Sequence, residues 1–417
     1  MRIYWMRRDL RLNDNKCFEY LSRESSTPLV VYHQVDPFLE SMGKFRKQFY
    51  LGTLESLKND LNEKGLHLHL GTISIECLIG RLQNDGFSIK ELIYTSGNNA
   101  RDFDQERKLY ETSVQEDFEI RSFDQNTLIP KLDLPFPIEK LPKSFTGFRK
   151  KVETSVEFKW SNNSKLEPFK SPQINVGIEE FDHFPNEDLE LIFKPGETSA
   201  LNRLNHYLWE TKSVSTYKET RNGMINFDDS TKFSPWLSLG SISPKTIMRE
   251  LQKYEHENGA NESTYWVFFE LLWRDYFKFL SEKYKSKFFE FDGVKKISYE
   301  VLDREEAKSE LDRWKNGDTA SEFVNANMIE LKKTGWMSNR GRQNVASYLA
   351  KHLFIDWTLG ACWFEKNLID YDVESNWGNW AYLAGAGVDP RDRKFDVDRQ
   401  QRIYDPNREY IKKFLGA

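Results

Sequence analysis

The sequence predicts an N-terminal α/β domain with a doubly wound parallel sheet, joined by a long connector to an all-α C-terminal domain. Three observations predict it. The 417 residues exceed the roughly 250–300 at which a single hydrophobic core stops growing, so two domains are expected. The first 125 residues alternate short apolar runs with helix-period segments, as βαβ units do. Beyond residue 196 the spacing is helical throughout, and ten of the twelve tryptophans lie beyond residue 200.

In the first domain (residues 1–125), Arg2–Met6 (RIYWM) and residues 28–32 (PLVVY) are continuous apolar runs suited to parallel strands buried on both faces. Residues 44–61 carry helical spacing, with Phe45, Phe49, Leu54, Leu57 and Leu61 on one broad face. A strand at 66–70, a helix at 73–82, a strand at 91–94, a helix at 102–111 and a strand at 118–121 follow. No GxGxxG motif succeeds the first strand, so no nicotinamide or flavin pyrophosphate is assigned to this domain. His67 and His69 share one face of a strand (HLHL) and read as polar edge residues. The connector (residues 126–195) holds eight of the fourteen prolines. Proline fixes φ and removes a donor, so long helices are not expected there and the segment is read as wrapping over the surface. In the second domain (residues 196–417), helices are predicted at 201–209, 235–239, 244–254, 265–284, 305–314, 321–334, 340–355 and 357–368. Ser234-Pro235 and Ser243-Pro244 place a capping hydroxyl ahead of proline at the first helical position.

Composition narrows the function classes. With 65 acidic and 60 basic residues the net charge is −5, which excludes a generally basic nucleic-acid coat and leaves only a local basic patch. No apolar run approaches ~18 residues, so no membrane-spanning helix is expected. The start, MRIYWMRRDLRLND, lacks the apolar core of a signal peptide, and a cytoplasmic location is expected. Cys17, Cys77 and Cys362 are widely spaced with no CxxC, so neither a disulfide framework nor a metal site is expected. Aromatic residues make up 14 % of the chain. They imply either a Trp-rich helical core or a site that uses indoles for stacking or electron transfer.

Three stretches could carry chemistry. The first is Tyr217-Lys218-Glu219-Thr220-Arg221-Asn222 with Ser230-Thr231-Lys232-Phe233-Ser234-Pro235-Trp236. Hydroxyls, a lysine and a helix start suit a phosphate, although an ordinary capped loop reads the same way. The second is Glu270, Trp273 and Arg274, at i, i+3 and i+4 on one helix face. They suit a planar anionic ligand, or an amphipathic helix with an edge ion pair. The third is densest: Trp336, Asn339, Arg340, Arg342, Gln343 and Asn344, then Asp356-Trp357, then Asp370, Asp372, Asn376, Trp377, Trp380 and Tyr382. Polar residues in a Trp-rich core must find partners, and Arg342 with Asp370 is the expected pair.

These stretches resemble the photolyase/cryptochrome family, and within it the cryptochrome-DASH branch. The resemblance runs along the whole chain. It begins at RDLRLNDN (residues 8–15), continues through LPFP (134–137) and LPKSFTGFRKKVE (141–153), and includes TYKETRNG, STKFSPWLSLGSISP, FELLWRDYFKF, NANMIELKKTGWMSNRGRQNVASYL and SNWGNWAYLAGAG.

The resemblance implies a photolyase-like fold whose helical domain binds FAD. By motif position, Tyr217, Ser230, Thr231, Lys232, Phe233 and Ser234 would hold the diphosphate end. Arg342, Asp370 and Asp372 would line the ribityl and flavin edge, and Asn376 would face flavin N5. A neutral amide there tolerates a reduced, anionic flavin that a carboxylate would repel. The implied reaction is blue-light-driven repair of cyclobutane pyrimidine dimers in DNA by electron transfer from reduced FAD, the protein supplying position and electrostatics. Glu270, Trp273, Asn339 and Gln343 match substrate positions, with Trp273 stacking on the dimer and Glu270 and Asn339 bonding base edges. Arg221, Arg274 and Tyr382 belong to the same substrate and DNA surface.

Gln343 and Tyr382 stand where ordinary dimer photolyases carry Met and Trp. A smaller, more polar wall holds a flipped lesion less well, which implies a preference for single-stranded or locally unpaired DNA. The histidine pair of (6-4) photolyases has no counterpart near Ser338 and Asn339, so that activity is not expected. Arg149, Lys150, Lys151, Arg221, Arg340, Arg391, Arg393, Lys394 and Arg399 are candidates for phosphate contact, each against the alternative of a solvated charge.

Trp380 and Trp357 match the inner members of an electron relay. Arg304 replaces the usual outer Trp, with Tyr299 a nearby substitute. A methenyltetrahydrofolate antenna stays open, because Asn98 stands where Glu is common; His352 also replaces a commonly acidic residue. A monomer without a long signalling tail after Ile411 is expected. The competing functions are a blue-light photoreceptor that binds FAD and nucleic acid without efficient repair, and an FAD-binding helical protein with no light role. Joint presence of Glu270, Trp273 and Asn339 favours repair.

Overall fold

The apolar runs at the start of the chain become strands covered on both faces. In a computed structural model, which describes residues 1–23, 27–158, 181, 189–295, 301–302, 304–389 and 394–416, the first domain is β1 (Arg2–Met6), α1 (Lys16–Leu21), β2 (Leu29–Gln34), α2 (Lys44–Glu63), β3 (Leu68–Gly71), α3 (Ile75–Asn84), β4 (Glu91–Thr95), α4 (Ala100–Gln115) and β5 (Glu119–Phe123). The strands form a parallel sheet in the order β3-β2-β1-β4-β5, with Ile3 opposite Val30 and Leu92. Alternate side chains feed two cores. Tyr4, Met6, Val31 and Ile93 pack with α2, while Ile3, Trp5, Val30 and Leu92 pack with α3. His69 is buried on edge strand β3, its ring 4.5 Å from that of His67.

Ligands in open α/β sheets sit where the strand order reverses, here between β1 and β4. In this chain protein groups fill that crevice. Asp9 accepts from the Tyr4 hydroxyl (2.7 Å), the Thr95 hydroxyl and the Gln125 amide (3.2 Å). The Asn15 amide donates to Tyr4 Oη (2.8 Å). The Arg11 guanidinium donates to the Gly240 carbonyl (3.0 Å), and the Leu10 amide to Leu239 O (3.2 Å). The motif at residues 8–15 therefore seals the first domain against the second.

The seal needs Gly240. Its φ is +73°, and a β-carbon there would collide with the Arg8 carbonyl. We expect Gly240→Ala to lower stability by about 1–3 kcal/mol, through left-handed backbone strain and loss of this close approach. Urea unfolding checks this; an unchanged midpoint would contradict it.

The connector departs from expectation. It carries α5 (Phe145–Ser155), an eleven-residue helix that Ser144 caps by accepting from Gly147 N. Phe145, Phe148 and Val152 are buried in the large helical core, so this segment is part of that core and not only a surface wrap. A proline-free run from residue 143 lets the helix form. Much of the rest, including Pro168, Pro172 and Pro185, lies outside the described residues.

The second domain comprises α6 (Glu197–Asn205), α7 (Tyr217–Thr220), α8 (Ser234–Leu239), α9 (Pro244–Asn258), α10 (Glu262–Tyr284), α11 (Arg304–Asn316), α12 (Glu322–Thr334), α13 (Asn339–Lys351), α14 (Trp357–Asn367), α15 (Val373–Ala384), α16 (Val397–Tyr404) and α17 (Glu409–Leu415). α15 to α17 were not among the predicted helices. The predicted Trp-rich core is present, with Trp236, Trp314, Trp336, Trp357 and Trp380 buried. Among the described residues, no helix is long and apolar enough to cross a membrane.

Candidate cofactor and substrate site

Elements α7, α8, α10, α13, α14 and α15 surround a cavity of about 440 Å3. Tyr217, Arg221, Ser230, Thr231, Lys232, Phe233 and Ser234 form part of its wall, and Arg342, Asp370, Asp372, Asn376 and Trp380 form another part. The loop before α8 is held by a residue that sequence reasoning missed. Arg203 of α6 donates to Thr231 O (2.9 Å) and Ser230 O (3.0 Å), and pairs with Asp228 (2.5 Å). Lys232 adopts φ +56°, and its ammonium donates to Ser230 Oγ (2.9 Å). Its Nζ also lies 4.5 Å from the Trp336 ring centroid. Burial, helped by the charge of Arg203, lowers the Lys232 pKa to about 8.

The expected pair is present. Arg342 Nη2 donates to both Asp370 oxygens (2.9 and 2.8 Å), and Arg342 Nε donates to Met337 O (2.9 Å). Asp372 caps α15 by accepting from Ser375 N (2.9 Å). Burial alone would raise its pKa, but Lys278 at 3.6 Å and Arg274 at 3.7 Å hold the carboxyl well below the usual range. Lys278 also meets Glu374 at 3.1 Å, and Glu374 accepts from the Asn99 amide (2.8 Å) in the first domain. Sequence reasoning named neither Lys278 nor Glu374. The signal for Lys278 was its place four residues after Arg274, on the same helix face.

The shared face of Glu270, Trp273 and Arg274 divides. Arg274 donates to Asn126 O (2.5 Å) and Leu237 O (3.1 Å), so it ties connector and α8 together beside Asp372. Glu270 pairs with Arg221 (2.5 Å) and accepts from Trp266 Nε1 (3.2 Å), and burial raises its pKa. Trp273 stacks on Phe145 of the connector, with centroids 3.8 Å apart and planes 12° apart. Tyr382 meets Trp273 edge-on at 6.0 Å. Asn339, exposed, opens α13, and Gln343 accepts from Arg340 (2.8 Å). Glu270, Trp273, Asn339, Gln343 and Tyr382 all line the same cavity as the cofactor residues.

Asn376 donates from its amide to Ala361 O (3.1 Å), which fixes its rotamer. Trp380 lies on the cavity wall, 5.1 Å from Phe364 and 6.1 Å from Trp314. Trp357 is deeper, donating to Phe291 O (2.9 Å) and meeting Trp377 edge-on at 5.7 Å. Tyr299 and the side chain of Arg304 lie outside the described residues. So do Arg391 and Arg393; Lys150, Lys151 and Lys394 are exposed, and Arg149 donates to Tyr265 Oη (2.5 Å). Asn98 is buried, its backbone N–H on Asp102 (3.2 Å). His352 stacks on Tyr348 at 5.3 Å and bonds Phe395 O (2.9 Å).

The donor set fits a dinucleotide-type flavin. Hydroxyls and an ammonium for a diphosphate occupy one segment, and Arg342 with buried Asp370 and half-buried Asp372 occupies another. Trp336 Nε1, on the wall, is buried with no hydrogen-bond partner among the described residues. Nearby, Glu330 accepts from the Tyr410 hydroxyl (2.6 Å), and burial pushes its pKa up to about 7. The folded protein keeps this proton to about pH 7, while the unfolded chain releases it near 4.3. Between those values the folded state binds more protons, so stability falls as pH rises. Glu330→Gln should flatten that slope in thermal unfolding across pH 4.5–7 (about the two pKa values); parallel curves would contradict the assignment.

Comparison with known proteins identifies the family and the fold. The family described as DNA photolyase matches residues 2–173, and the FAD binding domain of DNA photolyase matches residues 266–417. Cryptochrome DASH of Danio rerio is 43 % identical over 98 % of this chain and 82 % of its own length. A Synechocystis cryptochrome of known structure superposes with a TM-score of 0.93 at 37 % identity, covering 100 % of this chain and 88 % of that one. A class III photolyase from Agrobacterium tumefaciens shares the fold, with a TM-score of 0.84 at 24 % identity over 100 % of this chain and 86 % of that one. With a sealed α/β domain, a helical FAD-binding domain and full-length likeness on both counts, the chain belongs to the photolyase/cryptochrome family, in its cryptochrome DASH branch.

Proposed function

We propose that the protein repairs cyclobutane pyrimidine dimers in DNA, driven by blue light, with a preference for single-stranded or locally unpaired strands. One observation carries this reading: Glu270, Trp273, Asn339, Gln343 and Tyr382 share a cavity with the residues suited to FAD. Bound FAD would supply the light-driven electron chemistry. Ser230, Thr231, Lys232 and Ser234 hold its diphosphate, beside Tyr217 and Phe233. Arg342, Asp370 and Asp372 hold the ribityl and ring edge, and Asn376 presents a neutral amide whose orientation Ala361 sets. Trp273, backed by Phe145, stacks on the dimer. Glu270, steered by Arg221 and Trp266, and Asn339 bond the base edges. Trp380 and Trp357 serve as the inner electron relay. Arg274 acts beneath this surface by steadying Asp372, and the DNA backbone runs past the basic residues of α5.

Strand preference follows from energy. Flipping a lesion from a duplex costs a few kcal/mol that an unpaired strand does not require. Tyr382 and Gln343 leave a polar, open wall with little to offset that cost. The test is repair of one dimer oligonucleotide, single- and double-stranded, by reduced protein under blue light and in the dark. Light-dependent dimer loss, faster on the single strand, is expected. Equal rates would remove the strand preference, and no repair of either form would favour a photoreceptor role.

A further inference from the structure

A second cavity, of about 320 Å3, lies on the other side of the Trp273–Tyr382 wall. Phe145, Trp273, Phe277, Tyr284 and Phe288 supply its aromatic surface. Trp273, Phe277 and Tyr382 line both cavities, so the two adjoin through shared rings. Packed cores hold few voids larger than a water molecule, and this volume is instead at the lower end for ligand sites. Exposed Lys143, Ser144 and Thr146 border it on the solvent side, at the start of α5.

We propose that this cavity takes the unpaired base that flanks the dimer on the same strand. The inference rests on the repair reading above and names a further part of its substrate. Three features select a nucleobase. The lining is aromatic, and base stacking on such rings is tolerant of sequence. The cavity shares a wall with the dimer site, so a neighbouring nucleotide reaches it without a second strand. Its exposed rim is basic: Lys143 lines it near Lys283, and α5 continues with Arg149, Lys150 and Lys151, while the one carboxylate of the lining, Asp389, is buried. Burial first, and the Lys143 charge next, lower the Lys283 pKa against the opposing charge of Glu139, and a phosphate here would add to that relief. A paired base in a duplex is stacked on its neighbours and unavailable to this site. The cavity thereby gives single strands a contact that duplexes lack.

The experiment uses the full-length, FAD-loaded protein and single-stranded oligonucleotides carrying one thymine dimer. The nucleotide on each side of the dimer is replaced, one at a time, by an abasic tetrahydrofuran unit. Loss of a stacked base should weaken binding about tenfold on one side and little on the other. A 2-aminopurine placed on the sensitive side should be quenched on binding, and one placed six or so nucleotides away should not. Val294→Trp, at the cavity edge, should erase the difference between natural and abasic flanks. Dimer strands that bind and are repaired with neither flank mattering by twofold or so would overturn the flanking-base site and leave the repair reading intact. Failure of every dimer strand to bind would overturn both.

Discussion

Replacing Lys278 by Met is expected to destabilise the folded protein by about 3–5 kcal/mol. Lys278 is buried between Glu374 (3.1 Å) and Asp372 (3.6 Å), whose side chains are 0 % and 9 % exposed. Without the ammonium, Glu374 keeps the Asn99 amide, and Asp372 keeps the Ser375 backbone and a more distant Arg274. Two carboxylates then face each other in a water-poor interior. At about 1 °C per kcal/mol for a cooperative unit of this size, the melting temperature should fall by roughly 3–6 °C. The effect should depend on pH. Asp372 is held below the ordinary carboxylate range, so its pairing contributes stability above about pH 4 and loses it as pH falls. The gap between wild type and Lys278→Met should therefore narrow under acid, while Lys278→Arg should recover much of the loss. A melting temperature unchanged at neutral pH would sink this account of the buried network.

Trp273→Ala should weaken binding of dimer-containing single strands by about tenfold or more, since base–aromatic stacking is worth roughly 1–3 kcal/mol. The indole is already fixed by its neighbours. Phe145 stacks on it, and Phe277 and Tyr382 meet it at 5.5 and 6.0 Å. Undamaged strands should lose much less, because their affinity comes from phosphate contacts. Flavin absorbance of the variant reports that the fold is kept. Equal losses for damaged and undamaged strands would assign Trp273 a packing role instead.

The two halves of the molecule were legible in different degrees. Continuous apolar runs placed β1, β2 and β4 within a few residues, because burial on both faces of a parallel sheet leaves little room for polar residues; β5, at the sheet edge, is largely exposed. Arg342 with Asp370 was readable too: opposite charges in an aromatic core have few other partners. α15 was not readable, since SNWGNW carries Asn and Gly and little intrinsic helix preference. It is helical because its packing demands it. Gly378 lies where a β-carbon would strike Phe277, so α10 and α15 approach closely at that point. Phe145 was hidden in a proline-rich segment whose composition argued for surface loop.

Alone, the sequence determined the five strands and most of the longer helices, which motifs place the chain in its family, and which residue types could meet a flavin and a damaged base. Those properties depend on neighbours within a few turns. Only the tertiary structure decided that Asp9 seals the sheet crevice, that Arg274 faces inward while Glu270 turns to Arg221, and that Lys278 joins two carboxylates to a loop of the other domain. Asn99 and Glu374 are 275 residues apart in the chain, and no local pattern encodes such a contact. Its energy comes from desolvation and charge pairing, which exist only once distant elements have closed around them.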